Sequence, residues 1–209
     1  MVSIIYYNNV KDDFYERKHA VKIFICRIDK PVSEQDFRYL LQFADCSRQK
    51  RILRQKSKLK ADSMLIGEIL AKAAIKQTFG IPIQCQHIVS DNGKPYLKNF
   101  PNVHFNISHS GEYAVCAVSD VPIGVDIQKI YKRYTPKLSA RVCSDEEITK
   151  IEHSRQSAVE FTRLWTQKEA VVKMYGSGIA HGGIKDCIKS ENIVTYRLGD
   201  YFLSVCSEK

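Results

Sequence analysis

The sequence predicts a mixed α+β fold, and three observations carry that expectation. Short runs rich in β-branched residues alternate with helix-period segments in both halves of the chain. Two long helical patterns each stop at a glycine, Gly80 and Gly176. No low-complexity tract or Pro/Ser-rich linker separates the halves, so they must pack directly on one another.

Residues 1–20 read as an extension with one strand, Ser3 to Tyr7, and Val21 to Cys26 as a clearer strand ending near Asp29-Lys30-Pro31. Ser33, followed by Glu34 and Asp36, opens a helix through Ala44, because serine caps and acids suit the first turn. A basic segment then leads into a helix over Ala61 to Phe79. Ile81 to Val89 is expected as a strand, Asp91 to Pro95 as a turn, and Val103 to Ile107 as a strand running into a small-residue loop. Tyr113–Val118 and Ile123–Ile127 read as adjacent strands joined across Ser119-Asp120-Val121-Pro122. Helices begin near Thr135-Pro136 and after the cap-like Ser144, and the strongest runs from Val159 to Tyr175. Ile193–Leu198 and Tyr201–Val205 flank a turn at Gly199-Asp200.

Composition excludes several classes. With 209 residues, 44% hydrophobic and 26% charged, the chain has ordinary globular values and is long enough for a real core. Its longest apolar run, Tyr113 to Val118, is far short of the ~20 residues that a spanning helix needs. The N-terminal stretch shows no basic region followed by an apolar core, so a cytoplasmic location is expected, with no membrane association. Seven cysteines, without a C-x-x-C pair, point to buried reduced thiols rather than a zinc site or a disulfide framework.

The net charge of +9 is uneven. Between Asp45 and Lys76 nine basic residues face only Asp45, Asp62 and Glu68. Such a field attracts polyanions: a phosphate-rich small molecule, an acidic protein or nucleic acid. No recognised nucleic-acid module accompanies it.

Some residues are not explained by packing alone. On the Val159–Tyr175 helix Lys168 falls inside an apolar arc of about 120°, with Glu169 at its edge and Lys173 one turn on, at i, i+4 pairing distance. A lysine there either carries its head to solvent or holds an anion. In Ile123-Gly124-Val125-Asp126-Ile127-Gln128, period two puts Asp126 and Gln128 on one face of a strand. Asp126 is then either a strand-end hydrogen-bond acceptor or a carboxylate in need of a cation. Phe105-Asn106-Ile107-Ser108-His109-Ser110-Gly111 offers hydroxyls and an imidazole to phosphate oxygens, without a P-loop or dinucleotide-binding pattern.

The order Gly93-Lys94-Pro95, then Phe105 to Gly111, then Gly124-Val125-Asp126-Ile127, then Trp165-Thr166-Gln167-Lys168-Glu169-Ala170-Val171-Val172-Lys173 resembles the 4′-phosphopantetheinyl transferase superfamily. The size resembles its long, pseudo-dimeric, surfactin-synthetase-activator type, and the match runs from about Val21 to Val205. The resemblance implies two similar halves, 21–122 and 123–209, related by a pseudo-twofold axis, after the extension 1–20. It implies coenzyme A in the cleft between them and transfer of its phosphopantetheine arm to a serine of an acyl or peptidyl carrier protein. It further implies a Mg²⁺ site at Asp126 and Glu169, with Gln128 where many members have a third acid. Arg48 and Arg51 would meet the 3′-phosphate, Lys94 and Pro95 the adenine, and Ser108, His109, Lys168 and Lys173 the diphosphate. Glu169, Lys173, Glu147 and His109 would be the catalytic groups. Ser63 stands where an arginine is frequent, which shifts the phosphate clamp toward Arg48, Arg51 or Lys58. A monomer is expected, acting on a carrier with an acidic surface. Two rival readings are a basic nucleic-acid-binding protein, and a member that binds coenzyme A without efficient transfer.

Overall fold

The computed structural model describes residues 21–91, 94–176 and 192–208, together with the backbone of 3–7. Asn92 and Gly93 of the expected turn, and the seventh cysteine, Cys187, lie outside the described residues. In chain order the elements are β1 (Ser3–Tyr7), β2 (Lys22–Arg27), α1 (Glu34–Leu41), α2 (Cys46–Leu53), α3 (Lys58–Phe79), β3 (Ile88–Asp91), β4 (Lys94–Leu97), β5 (His104–Ser110) and β6 (Tyr113–Ser119). They continue with β7 (Ile123–Lys129), α4 (Pro136–Val142), α5 (Asp145–Glu152), α6 (Ser157–Tyr175), β8 (Asn192–Leu198) and β9 (Tyr201–Ser207).

Two antiparallel sheets form, β1-β2-β6-β5 and β7-β9-β8, beside the β3-β4 hairpin. The halves share a topology. Each has a strand, then helices, then a hairpin whose second strand inserts beside the first, giving β2-β6-β5 and β7-β9-β8. Alternation along β2 shows how the layers stack: Phe24 and Cys26 join Leu70, Ala74 and Ile75 of α3, while Ile23 and Ile25 face Val125, Ile127 and Leu203 of the other sheet. Both faces of the strand are therefore buried, which is why it reads as an unbroken apolar run. On the far side α6 lies over the second sheet, with Ala170 and Met174 against Cys206.

Helix ends follow from local chemistry. Ser33 and Ser57 accept hydrogen bonds from Asp36 N and Lys60 N, and Ser144 with Glu147 completes a capping box. Gly80 and Gly176 terminate α3 and α6 at φ 72° and 71°, a region that favours glycine.

Four expectations need correction. The basic segment is itself helical, as α2 with Asp45 at its N-cap position, and α3 begins at Lys58 rather than Ala61 because Ser57 caps it. Ile81–Val89 is not one strand: Pro82 starts a short 3₁₀ turn over Ile83–Cys85, and the buried Gln86 amide donates to Lys72 O and Ile81 O, so pairing starts only at Ile88. The strand through Asn106 continues to Ser110, pairing with β6, and turns at Gly111, where φ is 54°. Consecutive β6 and β7 are not paired; they belong to different sheets, β6 between β2 and β5 and β7 beside β9.

Of the six described cysteines, Cys26, Cys116, Cys143 and Cys206 are buried free thiols. Cys46 and Cys85 are exposed, against the expectation of buried thiols; they lie in α2 and in the 3₁₀ turn. Burial pushes the Cys26 thiol up to about 11 and the Cys116 thiol further up.

Candidate active site

β5 and β7 are the facing edges of the two sheets, and side chains rather than a backbone ladder join them. Asn106, Ser108 and Ser110 lie at alternate positions on β5 and so project to one side. Asn106 Oδ1 accepts from Val125 N at 3.1 Å, Ser108 Oγ from Ile127 N at 3.2 Å, and Ser110 Oγ from Lys129 N at 3.0 Å. The outward N–H groups of β7 are thus satisfied without another strand. A cleft of about 510 Å³ opens over this seam.

Its lining comes from six elements and the turn between α2 and α3. α2 and α3 supply Arg48, Arg51, Lys60 and Met64, the turn between them supplies Gln55, and β4 supplies Lys94 and Pro95. β5 supplies Asn106 to His109, β7 supplies Asp126 to Gln128, and α6 supplies Glu169, Val172 and Lys173. Gly124 brings the last two elements together. A Cβ there would fall on the Ala170 carbonyl and crowd the Met174 backbone, so only glycine lets α6 lie this close to β7.

Asp126 is buried, and its two oxygens differ. Oδ1 accepts from Lys173 Nζ at 2.6 Å and from Ser108 Oγ at 2.8 Å. Oδ2 is buried with no hydrogen-bond partner among the described residues. Ser108 also accepts from Lys173 Nζ at 3.0 Å, so its hydroxyl has one donor and two acceptor interactions and no capacity left. Glu169 is half-buried; burial first, and then the charge of Asp126, raise its pKa above the usual carboxylate value, while Lys173 opposes them. His109 remains exposed to the cleft, yet partial desolvation, followed by Lys173, pushes its pKa below the usual histidine value.

A bare buried carboxylate oxygen beside a second carboxylate is a site short of positive charge. Asp126, Glu169 and the Gln128 amide offer only oxygen, which suits a hard divalent cation such as Mg²⁺. Among the described residues no group of three or more His, Cys, Asp or Glu side chains is placed to hold a metal, so protein ligands alone would leave such an ion open to water and phosphate oxygens.

Comparison with known proteins bears on the family of the chain. Residues 30–121 match the family model described as 4′-phosphopantetheinyl transferase, N-terminal, and residues 122–199 match the 4′-phosphopantetheinyl transferase superfamily. A 4′-phosphopantetheinyl transferase of Bacillus subtilis is 33% identical over 163 residues, covering 77% of this chain and 72% of the relative. The chain belongs to the 4′-phosphopantetheinyl transferase superfamily. Other relatives of the same description are a protein of Bacillus pumilus, 29% identical over 87% of this chain and 81% of its own length, and the transferase Sfp of Bacillus subtilis strain 168, 28% identical over 77% and 72%.

Within this transferase-family fold, most of the residues singled out from the sequence line one cleft: Arg48, Arg51, Lys94, Pro95, Ser108, His109, Asp126, Gln128, Glu169 and Lys173. Two do not. Lys168 is fully buried, neither snorkelled nor in the cleft, and pairs with Glu147 Oε2 at 2.9 Å, so this pair ties α6 to α5. Glu147 is also committed to the Ser144 N–H at 2.8 Å. Lys173 bridges to Asp126 instead of pairing with Glu169 along the helix, because β7 approaches closely enough to compete. The Lys94 ammonium donates to Met174 O and caps the end of α6. Lys58 pairs with Asp62, and buried Ser63 donates to Leu59 O. Lys60, Gln55 and Asn106 were missed; Lys60 carried no signal beyond its charge, whereas the alternation Asn106-x-Ser108-x-Ser110 on a strand was a readable one.

Proposed function

We propose that this protein transfers the phosphopantetheine arm of coenzyme A to a serine hydroxyl of an apo acyl or peptidyl carrier protein, releasing adenosine 3′,5′-bisphosphate. The observation that carries the reading is the pairing, in one cleft, of an under-neutralised Asp126–Glu169 carboxylate set with the cations Arg48, Arg51 and Lys60. A diphosphate with a further phosphomonoester matches both charge patterns.

Asp126, Gln128 and Glu169 are assigned to hold Mg²⁺, which when bound neutralises charge on the diphosphate. Asp126 is presented for that role by its neighbours: Ser108 and Lys173 fix Oδ1, which leaves Oδ2 as the oxygen without a partner among the described residues. Arg48, Arg51 and Lys60 bind the 3′-phosphate, and Lys94 and Pro95 bound the adenine. His109, kept neutral by its surroundings, offers a ring hydrogen bond to a diphosphate oxygen. Glu169 has a second oxygen and a raised proton affinity, the two properties that a base for the serine proton needs. The serine oxygen forms a bond to the phosphorus bearing the pantetheine arm. The bond from that phosphorus to the bridging oxygen breaks, and the bisphosphate leaves with the electron pair. Positioning and charge neutralisation dominate such a transfer. Ser108, with its hydroxyl saturated, is assigned to holding Asp126 and Lys173 rather than to the phosphates. Glu147 and Lys168 are assigned to fastening α5 to α6.

On this reading residues 21–122 and 123–209 are two halves of one cleft. The two halves already form a cleft within one chain, so a monomer is the assigned working state. It works in the cytoplasm, where coenzyme A and carrier proteins meet. Incubation with Mg²⁺, coenzyme A and a panel of apo carriers tests the function. The expected result is the mass gain of one phosphopantetheine arm on at least one carrier; no gain on any carrier, with coenzyme A still bound, counts against transfer.

A further inference from the structure

Three carboxylates lie in or near the basic segment, and they are used differently. Asp45 Oδ2 accepts from Lys72 and from Ile88 N at 3.2 Å each, fastening α2 to α3 and β3. Asp62 accepts from Lys58 and, at 3.1 Å, from Val32 N, fastening α3 to the chain before α1. Both hold backbone. Glu68 holds none: its Oε2 accepts from Arg48 Nε at 2.8 Å, and its Oε1 is buried with no partner among the described residues.

Glu68 is fully buried, and its charge adds to burial in raising the pKa of the Cys116 thiol of β6. Arg48 is nearly buried, with 14% of its side chain exposed, and that part faces the cleft. A carboxylate is an expensive way to fill a core position, since an apolar side chain of similar volume is often as stabilising or more so. What the carboxylate adds is direction. With Nε taken, the guanidinium cannot rotate freely, and both terminal nitrogens are left for a ligand. A planar fork aimed in advance suits a phosphomonoester, and less side-chain entropy is lost when it binds.

We propose that Glu68 is a positioning residue that pre-aims Arg48 at the phosphomonoester of the donor, so that Arg48 supplies orientation while Arg51 and Lys60 supply net charge. This rests on the donor reading above. It assigns to a core residue, remote from the reacting atoms, a share in selecting donors that carry a 3′-phosphate.

The test uses titration calorimetry of the full chain with adenosine 3′,5′-bisphosphate and adenosine 5′-phosphate, for the parent, Glu68→Gln, Arg48→Lys and the double variant. Glu68→Gln is expected to weaken the bisphosphate by ~10-fold, within the range for directly coupled side chains, and the monophosphate by less than ~2-fold. The double variant is expected to be no weaker than Arg48→Lys alone. In transfer assays Glu68→Gln is expected to raise KM for coenzyme A with kcat within ~2-fold of the parent, the signature of lost uniform binding. Equal weakening of both nucleotides, or additive losses in the double variant, overturns the proposal. If Glu68→Gln does not fold, Arg48→Gln serves as the second variant, and equal loss of both nucleotides there overturns it as well. A parent that transfers the arm while Glu68→Gln shows no selective loss refutes the positioning role alone. A parent that neither binds the bisphosphate nor transfers refutes the donor reading and this proposal together.

Discussion

Asp126 shows how much one side chain can be asked to do. It is buried, shares Oδ1 between an ammonium and a hydroxyl, and leaves Oδ2 bare. Asp126→Ala is expected to lower transfer by at least ~10²-fold through lost stabilisation of developing charge, measured as kcat on a fixed carrier. Gln128→Glu adds the missing negative charge and is expected to lower the Mg²⁺ concentration for half-maximal rate; an unchanged titration would place Gln128 away from the ion. Glu169 makes a stability statement of its own. Its folded pKa is raised above the ordinary 4.5, so ionising it opposes folding at neutral pH, and that penalty fades as pH falls toward 4.5. Without Mg²⁺ or coenzyme A, Glu169→Gln is therefore expected to melt above the parent at pH 7, with the gap closing toward pH 4.5. A gap that is constant with pH would assign the difference to packing instead.

At the scale of elements, Gly124 fixes how α6 seats on β7 and hence how Glu169 and Lys173 meet Asp126. Gly124→Ala pushes a methyl group into helix backbone that cannot rotate away, a cost of about 1–3 kcal/mol or more. Its melting temperature is expected to fall by several degrees, with kcat lowered beyond what the remaining folded fraction explains. Elements with strong periodicity were legible in the sequence: α6, the Ser144 box and the β8–β9 hairpin sit within a few residues of their expected bounds. Where the pattern was short or interrupted, tertiary contacts decided. Gln86 buries its amide against α3 and bends a run that reads as a strand, and α2 carries only Ile52 into the core. Lys168 is anomalous on its apolar face in the sequence alone, but its partner Glu147 lies on another helix and no one-dimensional spacing points to it.

Over the whole molecule, period-two alternation placed Asp126 and Gln128 on one face, and both line the cleft. That β7 would leave its sequence neighbour β6 for a second sheet was not readable, because strand partners are chosen in three dimensions. Charge is also a whole-molecule property. The exposed Lys50, Arg51, Arg54, Lys56 and Lys60 give α2 and the start of α3 one sign. If the carrier is acidic, kcat/KM for the carrier is expected to fall by roughly tenfold or more between low and high ionic strength, as steered encounters do, while kcat changes little. Salt-independent kcat/KM would remove electrostatic steering from the account.

The seam between β5 and β7 has an evolutionary corollary. Main-chain ladder bonds survive almost any substitution other than proline, whereas the polar part of this joint rests on three side chains that single nucleotide substitutions can swap one at a time. The grip between the two lobes is therefore heritable in small increments, and descendants of this chain can loosen or stiffen it without redesigning either sheet.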